Sequence, residues 1–175
     1  VLLNGASNLG ILNETFSEDS FESSISQTIV LANGGFFITD GVVVGLEANY
    51  TSLVQRQGDG IDDLEISIAT TTVSPIVRYY VKNIGVWGQA GYGYGNSSTS
   101  MGFTGEDSEP IESTISVLSF QLGYAYFLAE NVSINPSLGY VQRTTELEDE
   151  SQTFSGMSLR IGFAIHFNKA SSENN

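Results

Sequence analysis

Apolar residues alternate with small or polar residues along most of this chain. The pattern is clearest near the C-terminus, where every second residue from Met157 to Phe167 is apolar and the residues between them are serine, arginine, glycine, alanine and histidine. A period of two belongs to a β-strand, because successive side chains of a strand point to opposite faces. The pattern therefore predicts a strand with one apolar face and one polar face.

Eight such strands are predicted, and no segment has the 3.6-residue period of a helix. The strands cover residues 2–13, 24–39, 41–55, 64–81, 84–98, 113–129, 131–145 and 155–167. Three connections are tight and contain turn residues, at 39–41, 82–84 and 129–131. Four are long and polar, at 14–24, 56–63, 101–112 and 146–152. Because short and long connections alternate strictly, we predict an all-β, eight-stranded antiparallel up-and-down barrel over residues 1–167, with a polar tail at 168–175.

The chemistry of the two faces indicates which one points outward. The apolar face of strands three to eight carries no charged residue. The other face contains no lysine and is rich in glycine and amides, whereas a strand face in water is usually dense in Lys and Glu. Glycine suits a strand only where space is short, as it is inside an eight-stranded barrel. The sequence therefore predicts a transmembrane barrel whose apolar face contacts lipid.

Aromatic residues are predicted to form two belts at the membrane surfaces. One group lies beside the tight turns or the C-terminal end and comprises Phe36, Phe37, Tyr79, Tyr80, Tyr126, Phe127 and Phe167. The other lies further along the strands and comprises Tyr50, Tyr92, Tyr94 and Tyr140. The alternative is a soluble, lipocalin-like barrel with the tyrosine-rich face turned inward around a ligand, and such a barrel has no need of belts.

A few charges of both signs are predicted inside the barrel. Glu47 lies on the same face as Arg78, Arg143 and Arg160, and buried charges require partners. We interpret these residues as an ion-pair network that fills the lumen, and the alternative is a gate across a narrow ion channel. The single histidine, His166, is predicted to lie in the lumen or at its mouth. Because nucleophilic catalysis needs a positioned base, we predict no enzymatic activity.

The chain is strongly acidic, with 20 Asp and Glu against six Lys and Arg, a net charge of −14 and a pI near 4.1. Such a surface repels phosphate backbones, which excludes nucleic acid as an expected partner. Sixteen of the 20 acids lie in or beside the long connections: Glu14, Glu18, Asp19, Glu22, Asp59, Asp62, Asp63, Glu65, Glu106, Asp107, Glu109, Glu112, Glu146, Glu148, Asp149 and Glu150.

One of these connections is a candidate cation-binding loop. Asp59, Asp62, Asp63 and Glu65 fall within nine residues, and Ca²⁺ and other hard cations prefer several carboxylate oxygens. The spacing does not match an EF-hand, and a solvated acidic loop is the simpler interpretation. No firm metal site or cofactor is predicted. The acidic connections together are also expected to bind divalent cations.

Cysteine is absent, which excludes disulfides and thiolate chemistry. No apolar run of 18 residues occurs, so no transmembrane helix is predicted. The chain does not start with a signal-peptide pattern, so either it never had an export signal or, as we expect, the signal peptide has been removed and this is the mature chain.

The chain resembles the small outer-membrane β-barrel proteins of Gram-negative bacteria, the OmpA- and OmpX-like group. The resemblance covers about residues 1–167 and rests on the order and spacing of "GGFFITDGVVVGLEANY", "SPIVRYYV", "GQAGYGYG", "LGYAYFLAENVSINPSLGY" and "LRIGFAIHF". It implies an outer-membrane location, with the termini and tight turns in the periplasm and the acidic loops outside. It also implies contact with membrane lipid and lipopolysaccharide.

Proteins of this group end in an aromatic residue that the barrel-assembly machinery recognises, and Phe167 matches that position. The eight residues after Phe167 depart from the group's strictly C-terminal signal. Members of the group serve as anchors, adhesins, evasion factors or accessory subunits of larger complexes. The resemblance therefore implies a structural or accessory, partner-binding role rather than a reaction, since a fold does not specify a function.

Overall fold

The protein forms a single antiparallel sheet. The computed structural model describes residues 2–3, 10–18, 21–58, 64–103, 109–147 and 150–166, with side chains from Ser24 onward. The strands are β1 (Leu2–Leu3), β2 (Gly10–Glu18), β3 (Phe21–Thr39), β4 (Val42–Gly58), β5 (Leu64–Tyr80), β6 (Val86–Phe103), β7 (Ile111–Tyr124), β8 (Tyr126–Ala129), β9 (Val132–Leu147) and β10 (Glu150–His166). In the described residues, no helix is long and apolar enough to cross a membrane.

The sheet has the predicted fold of eight antiparallel, up-and-down strands. Segments β1 and β2 both pair with β3 and take the place of the first strand, while β7 and β8 both pair with β9 and form the sixth. The sheet curls until Leu2 lies opposite His166 of β10 and opposite Gly35 of β3. The all-β, barrel-like fold predicted from the alternation is therefore confirmed.

The tight turns lie together at one end of the sheet, which we call the turn end. They contain residues 40–41, 82–85 and 130–131, and positive φ angles occur at Gly41, Asn83 and Gly85. These are the residue types that tolerate a left-handed backbone in a turn. The opposite ends of the strands, near Glu18, Gly58, Phe103 and Leu147, form what we call the acidic end.

The connections at the acidic end are shorter than predicted. Pairing between β2 and β3 continues until Glu18 lies opposite Phe21, and pairing between β9 and β10 continues until Leu147 lies opposite Glu150. The prediction of long loops at 14–24 and 146–152 was therefore wrong, because polar residues there were taken for loop residues. Antiparallel pairing satisfies the backbone N–H and C=O groups of these stretches.

The polarity of the two faces reverses along the strands. Near the turn end the outer face is apolar, whereas the inner face is mostly polar with a few apolar residues such as Val43, Ile76 and Trp87. Near the acidic end the outer face carries Ser24, Ser26, Thr28, Glu65, Ser67, Glu112, Thr114, Ser116, Gln142, Thr144 and Glu146, whereas the inner face carries Ile25, Ile29, Leu53, Ile66, Ile68, Ile115, Val117 and Val141. Alternation with a period of two thus continues into the stretches predicted as loops, where the outer face is polar and the inner face combines apolar residues with polar ones such as Arg143.

The apolar part of the outer face has a constant length. It covers nine residues in each of several strands, namely 30–38, 42–50, 86–94, 132–140 and 157–165. We call this surface the apolar band. Within these described ranges no outward-facing residue is charged, and tyrosines lie where the band meets the polar wall, at Tyr50, Tyr94 and Tyr140. A membrane-spanning strand needs about 9–11 residues.

One glycine contact fixes how closely β3 and β4 approach. A Cβ atom built on Gly45 meets the carbonyl oxygen of Gly34 and comes within 2.8 Å of the Cα of Gly35. Both contacts are with backbone atoms, so they cannot be relieved by a change of rotamer. Gly88 on the outer face of β6 differs, because its nearest neighbour would be a side-chain methyl of Leu122 at 3.5 Å.

We therefore expect Gly45→Ala to lower the free energy of unfolding by about 1–3 kcal/mol through overpacking. Gly88→Ala is the matched control and is expected to be neutral or to stabilise by about 0.5–1 kcal/mol, since glycine inside a strand is entropically unfavourable. Both changes are measured by denaturant unfolding of the refolded protein. Equal effects of the two substitutions would mean that the close approach of β3 and β4 does not constrain the fold.

Candidate functional site

The charged residues predicted for the lumen project from different strands into one cross-section. Glu47 lies on β4, Arg78 on β5 and Arg160 on β10, and all three occupy inward positions of the alternation. Glu47 and Arg78 are 7% and 3% exposed. Together with Gln89 of β6, which lies opposite Arg78 in the sheet, they form what we call the Glu47 network.

Arg78 is the most extensively bonded member of the network. Its Nε and one terminal nitrogen both donate to Oε1 of Gln89, at 2.8 and 2.6 Å, and the other terminal nitrogen donates to the hydroxyl of Tyr80 at 3.1 Å. Its guanidinium carbon lies 4.2 Å from the centre of the Trp87 ring. The planar cation is thus held by hydrogen bonds in its plane and by an aromatic face, an arrangement that lysine does not reproduce.

Gln89 links the arginine to the carboxylate. Its Nε2 donates to Oε2 of Glu47 at 3.2 Å, while Arg160 places a terminal nitrogen 3.8 Å from Oε1 of the same carboxylate. Glu47 therefore interacts directly with Arg160 and reaches Arg78 through the amide. The alternation of the sequence places Gln89 on the inward face of its strand. Only the strand register shows that Gln89 joins Arg78 to Glu47.

Arg143 does not join this network. It lies on β9 opposite Val117 and Phe154, nearer the acidic end, and is half-buried. Within the described residues, no hydrogen bond or ion pair connects it to Glu47, Arg78 or Arg160. The sequence pattern placed all four residues on one face, but it carried no information on their depth in the barrel.

Two aromatic residues of the site were missed or misplaced by the sequence analysis. Tyr80 was predicted to lie in a membrane belt, but it points inward, because it lies two residues after Arg78 on the same face of β5, and its hydroxyl accepts a bond from Arg78. Trp87 was not assigned and is 2% exposed in the lumen. Its ring lies against Gly123, where a Cβ atom would meet the indole. The sequence did contain a signal for this placement, because Trp87 lies two residues before Gln89 and therefore on the same inward face of β6.

The cross-section around Trp87 is almost completely filled. The one cavity described there has a volume of about 20 Å³ and is lined by residues of β3, β6, β7, β9 and β10. A cavity needs about 10–15 Å³ to hold one water molecule. Side chains therefore fill the described lumen at this level and leave room for a single water-sized body.

The structure describes only part of the remaining candidate residues. Asp59, Asp62, Asp63 and Phe167 are outside the described residues. Glu65 is described, and its Oε2 accepts a bond of 2.7 Å from Nε of Arg56 on the outer face. Among the residues that the structure covers, no group of three or more His, Cys, Asp or Glu side chains is placed to hold a metal ion.

His166 contacts a serine at the turn end. Its Nε2 lies 3.0 Å from Oγ of Ser133, and its ring centre lies 5.1 Å from that of Phe127. Ser133 is fully buried and also donates to Oδ1 of Asn135 at 3.2 Å. A hydroxyl with no exposed surface cannot reach an external substrate in this conformation, so this pair holds the ends of β9 and β10 together.

Comparison with models of known protein families gives no match, and comparison with curated proteins gives none either.

Proposed function

We propose that this chain is a non-enzymatic, integral outer-membrane β-barrel of a Gram-negative bacterium, with a structural or accessory role in binding a partner. The observation that carries the proposal is the apolar band. Large side chains on it are openly exposed, with Leu159 at 81% and Leu122 at 67%. An apolar surface of this extent is stable when lipid covers it.

The reversal of polarity supports the same interpretation. Where the band ends, the outer wall becomes rich in Ser, Thr and Glu, and the inner face takes up the apolar residues. A barrel wall in water needs a polar outer face, as found near the acidic end. A barrel wall in lipid needs an apolar outer face, as found on the apolar band. The acidic end then projects from the membrane as a continuation of the barrel. By the resemblance to OmpA- and OmpX-like proteins, the turn end faces the periplasm and the acidic end faces outward.

The filled lumen favours a structural or accessory role over a narrow ion channel. In planar bilayers, the refolded protein is expected to show no single-channel conductance above baseline. The Glu47→Gln variant is expected to give the same result. If the Glu47 network were instead a gate, removing its carboxylate charge would change the conductance or its ion selectivity. A conductance that depends on residue 47 would contradict the accessory role and support the channel.

The membrane location is tested by fractionating native cells. We expect the chain to sediment with outer membranes, to resist extraction by salt, and to show heat-modifiable migration in detergent gels. A chain that is soluble and monomeric without detergent would overturn the proposal. The search would then turn to a ligand-binding barrel whose apolar face is covered in another way.

The partner surface is expected at the acidic end, where the projecting wall and its connections carry most of the negative charge. Lipopolysaccharide bridged by divalent cations and a larger outer-membrane complex are the proposed partners there, with the barrel-assembly machinery acting at the C-terminal strand. Crosslinking in native membranes followed by mass spectrometry identifies which of these contacts the acidic end.

A further inference from the structure

The lumen around the Glu47 network has an excess of positive charge. In the described part of the barrel, Arg78 is buried and the Arg160 side chain is 20% exposed, and Glu47 is the one carboxylate that faces them at this depth. Glu47 lies beside Arg160, while Arg78 is held by the neutral groups of Gln89 and Tyr80. A buried charge without a counter-charge is costly, so one additional negative charge in this cross-section would stabilise the folded protein.

The cavity beside this network is lined by hydrogen-bonding groups that lack partners in the described residues. These groups are Nε1 of Trp87, Nε2 of Gln121, Oδ1 of Asn33 and the terminal nitrogen of Arg160 that lies 3.8 Å from Glu47, too far for a hydrogen bond. Trp87 and Gln121 are 2% and 6% exposed, so their unpaired groups are shielded from solvent. An unsatisfied buried polar group costs about 1–3 kcal/mol.

Three of the four unpaired groups are hydrogen-bond donors, as an anion site requires. The indole and the guanidinium can only donate hydrogen bonds, and the amide of Gln121 presents its nitrogen. Asn33 presents an N–H group instead of its oxygen after a half-turn about its Cβ–Cγ bond. Trp87 also contacts Arg78 through its ring, at 4.2 Å, so both guanidinium groups lie close to the cavity.

We propose that this cavity of about 20 Å³ binds one small monovalent anion of halide size. The anion accepts hydrogen bonds from Arg160, Trp87 and Gln121 and balances the excess charge of the two arginines. It acts as a structural ion that fills the remaining space between the side chains in the lumen. This site is independent of where the barrel resides, and its failure would leave the outer-membrane proposal untouched.

The test measures how the folding equilibrium depends on chloride. The protein is refolded in neutral detergent and unfolded at constant ionic strength, with chloride replaced stepwise by gluconate, which is too large for the cavity. A ligand that binds only the folded state raises the folding equilibrium constant about tenfold for each tenfold rise in its concentration above Kd. We expect this dependence for chloride. Equal stability in chloride and gluconate would overturn the proposal and assign the cavity to water.

Two variants locate the effect. Arg160→Gln is expected to weaken chloride binding about tenfold or more, since a charged hydrogen bond is lost. Arg143→Gln, an inward arginine away from the cavity, is the matched control and is expected to keep the full chloride dependence. If Arg160→Gln does not fold, Trp87→Phe removes the indole N–H while keeping an aromatic ring. A chloride dependence that survives unchanged in Arg160→Gln or in Trp87→Phe would contradict the site.

Discussion

Replacing Arg78 by alanine is expected to lower the free energy of unfolding by about 3–5 kcal/mol. The substitution removes three hydrogen bonds that the buried cation donates to Gln89 and Tyr80. A hydrogen bond to a charged group contributes about 1.5–3 kcal/mol to stability. It also leaves a cavity against Trp87, and large-to-small changes in a core cost about 2–5 kcal/mol. Denaturant unfolding in a lipid or detergent environment measures the loss.

Two further variants separate the causes. Arg56→Ala removes the same side chain from an exposed ion pair with Glu65, and such a pair contributes about 1 kcal/mol or less. Arg78→Met keeps most of the volume, so it is expected to cost less than Arg78→Ala because it leaves little cavity against Trp87. If Arg56→Ala cost as much as Arg78→Ala, the lumen network would have no special role in stability.

Placing an arginine on the apolar band is expected to destabilise the folded protein by about 2–4 kcal/mol in a bilayer. Leu122 lies on the outer face of β7, between Gly88 and Leu138 of the band, and is 67% exposed. In water, an exposed leucine tolerates replacement by arginine, and the change usually stays within about 0.5 kcal/mol. In lipid, a charge near the midplane of a barrel wall costs about 2–4 kcal/mol. Leu122→Arg therefore distinguishes the two surroundings.

The matched control lies on the same face of the same strand. Thr114 points outward from β7 near the acidic end, opposite Glu146, where the wall is polar. Thr114→Arg is expected to change stability by about 0.5 kcal/mol or less. Both variants are refolded into phospholipid vesicles and unfolded with denaturant. Equal, small effects would place the Leu122 surface in water and would contradict the membrane proposal.

The fold was predictable from the sequence because its signal is local. The alternation from Met157 to Ile165 identifies β10 without knowledge of its neighbours, and turn residues such as Gly41 mark where strands reverse. The acidic end was less predictable, because the same alternation continues there with inverted polarity. Glu112 and Glu146 resemble loop residues in isolation, but they belong to paired strands whose inner face is apolar.

The sequence predicted which residues face the interior at the candidate site, but it did not predict which of them contact each other. Glu47, Arg78, Arg143 and Arg160 share one face, and the alternation shows that. Which of them meet depends on the stagger between strands that are far apart in the chain. Glu47 and Arg160 come from β4 and β10 and approach to 3.8 Å, whereas Arg143 lies at another depth.

By itself, the sequence determined that this protein has eight strands, which residues share each face, and that the turn-end half has an apolar face without charge. These properties follow from the period of two, which every strand carries in its own residues. The tertiary structure alone decided that Gln89 joins Arg78 to Glu47, that Trp87 closes the lumen, and that the polarity of the wall reverses. Each of these depends on register and curvature, which arise only when strands from distant parts of the chain pair around a common interior.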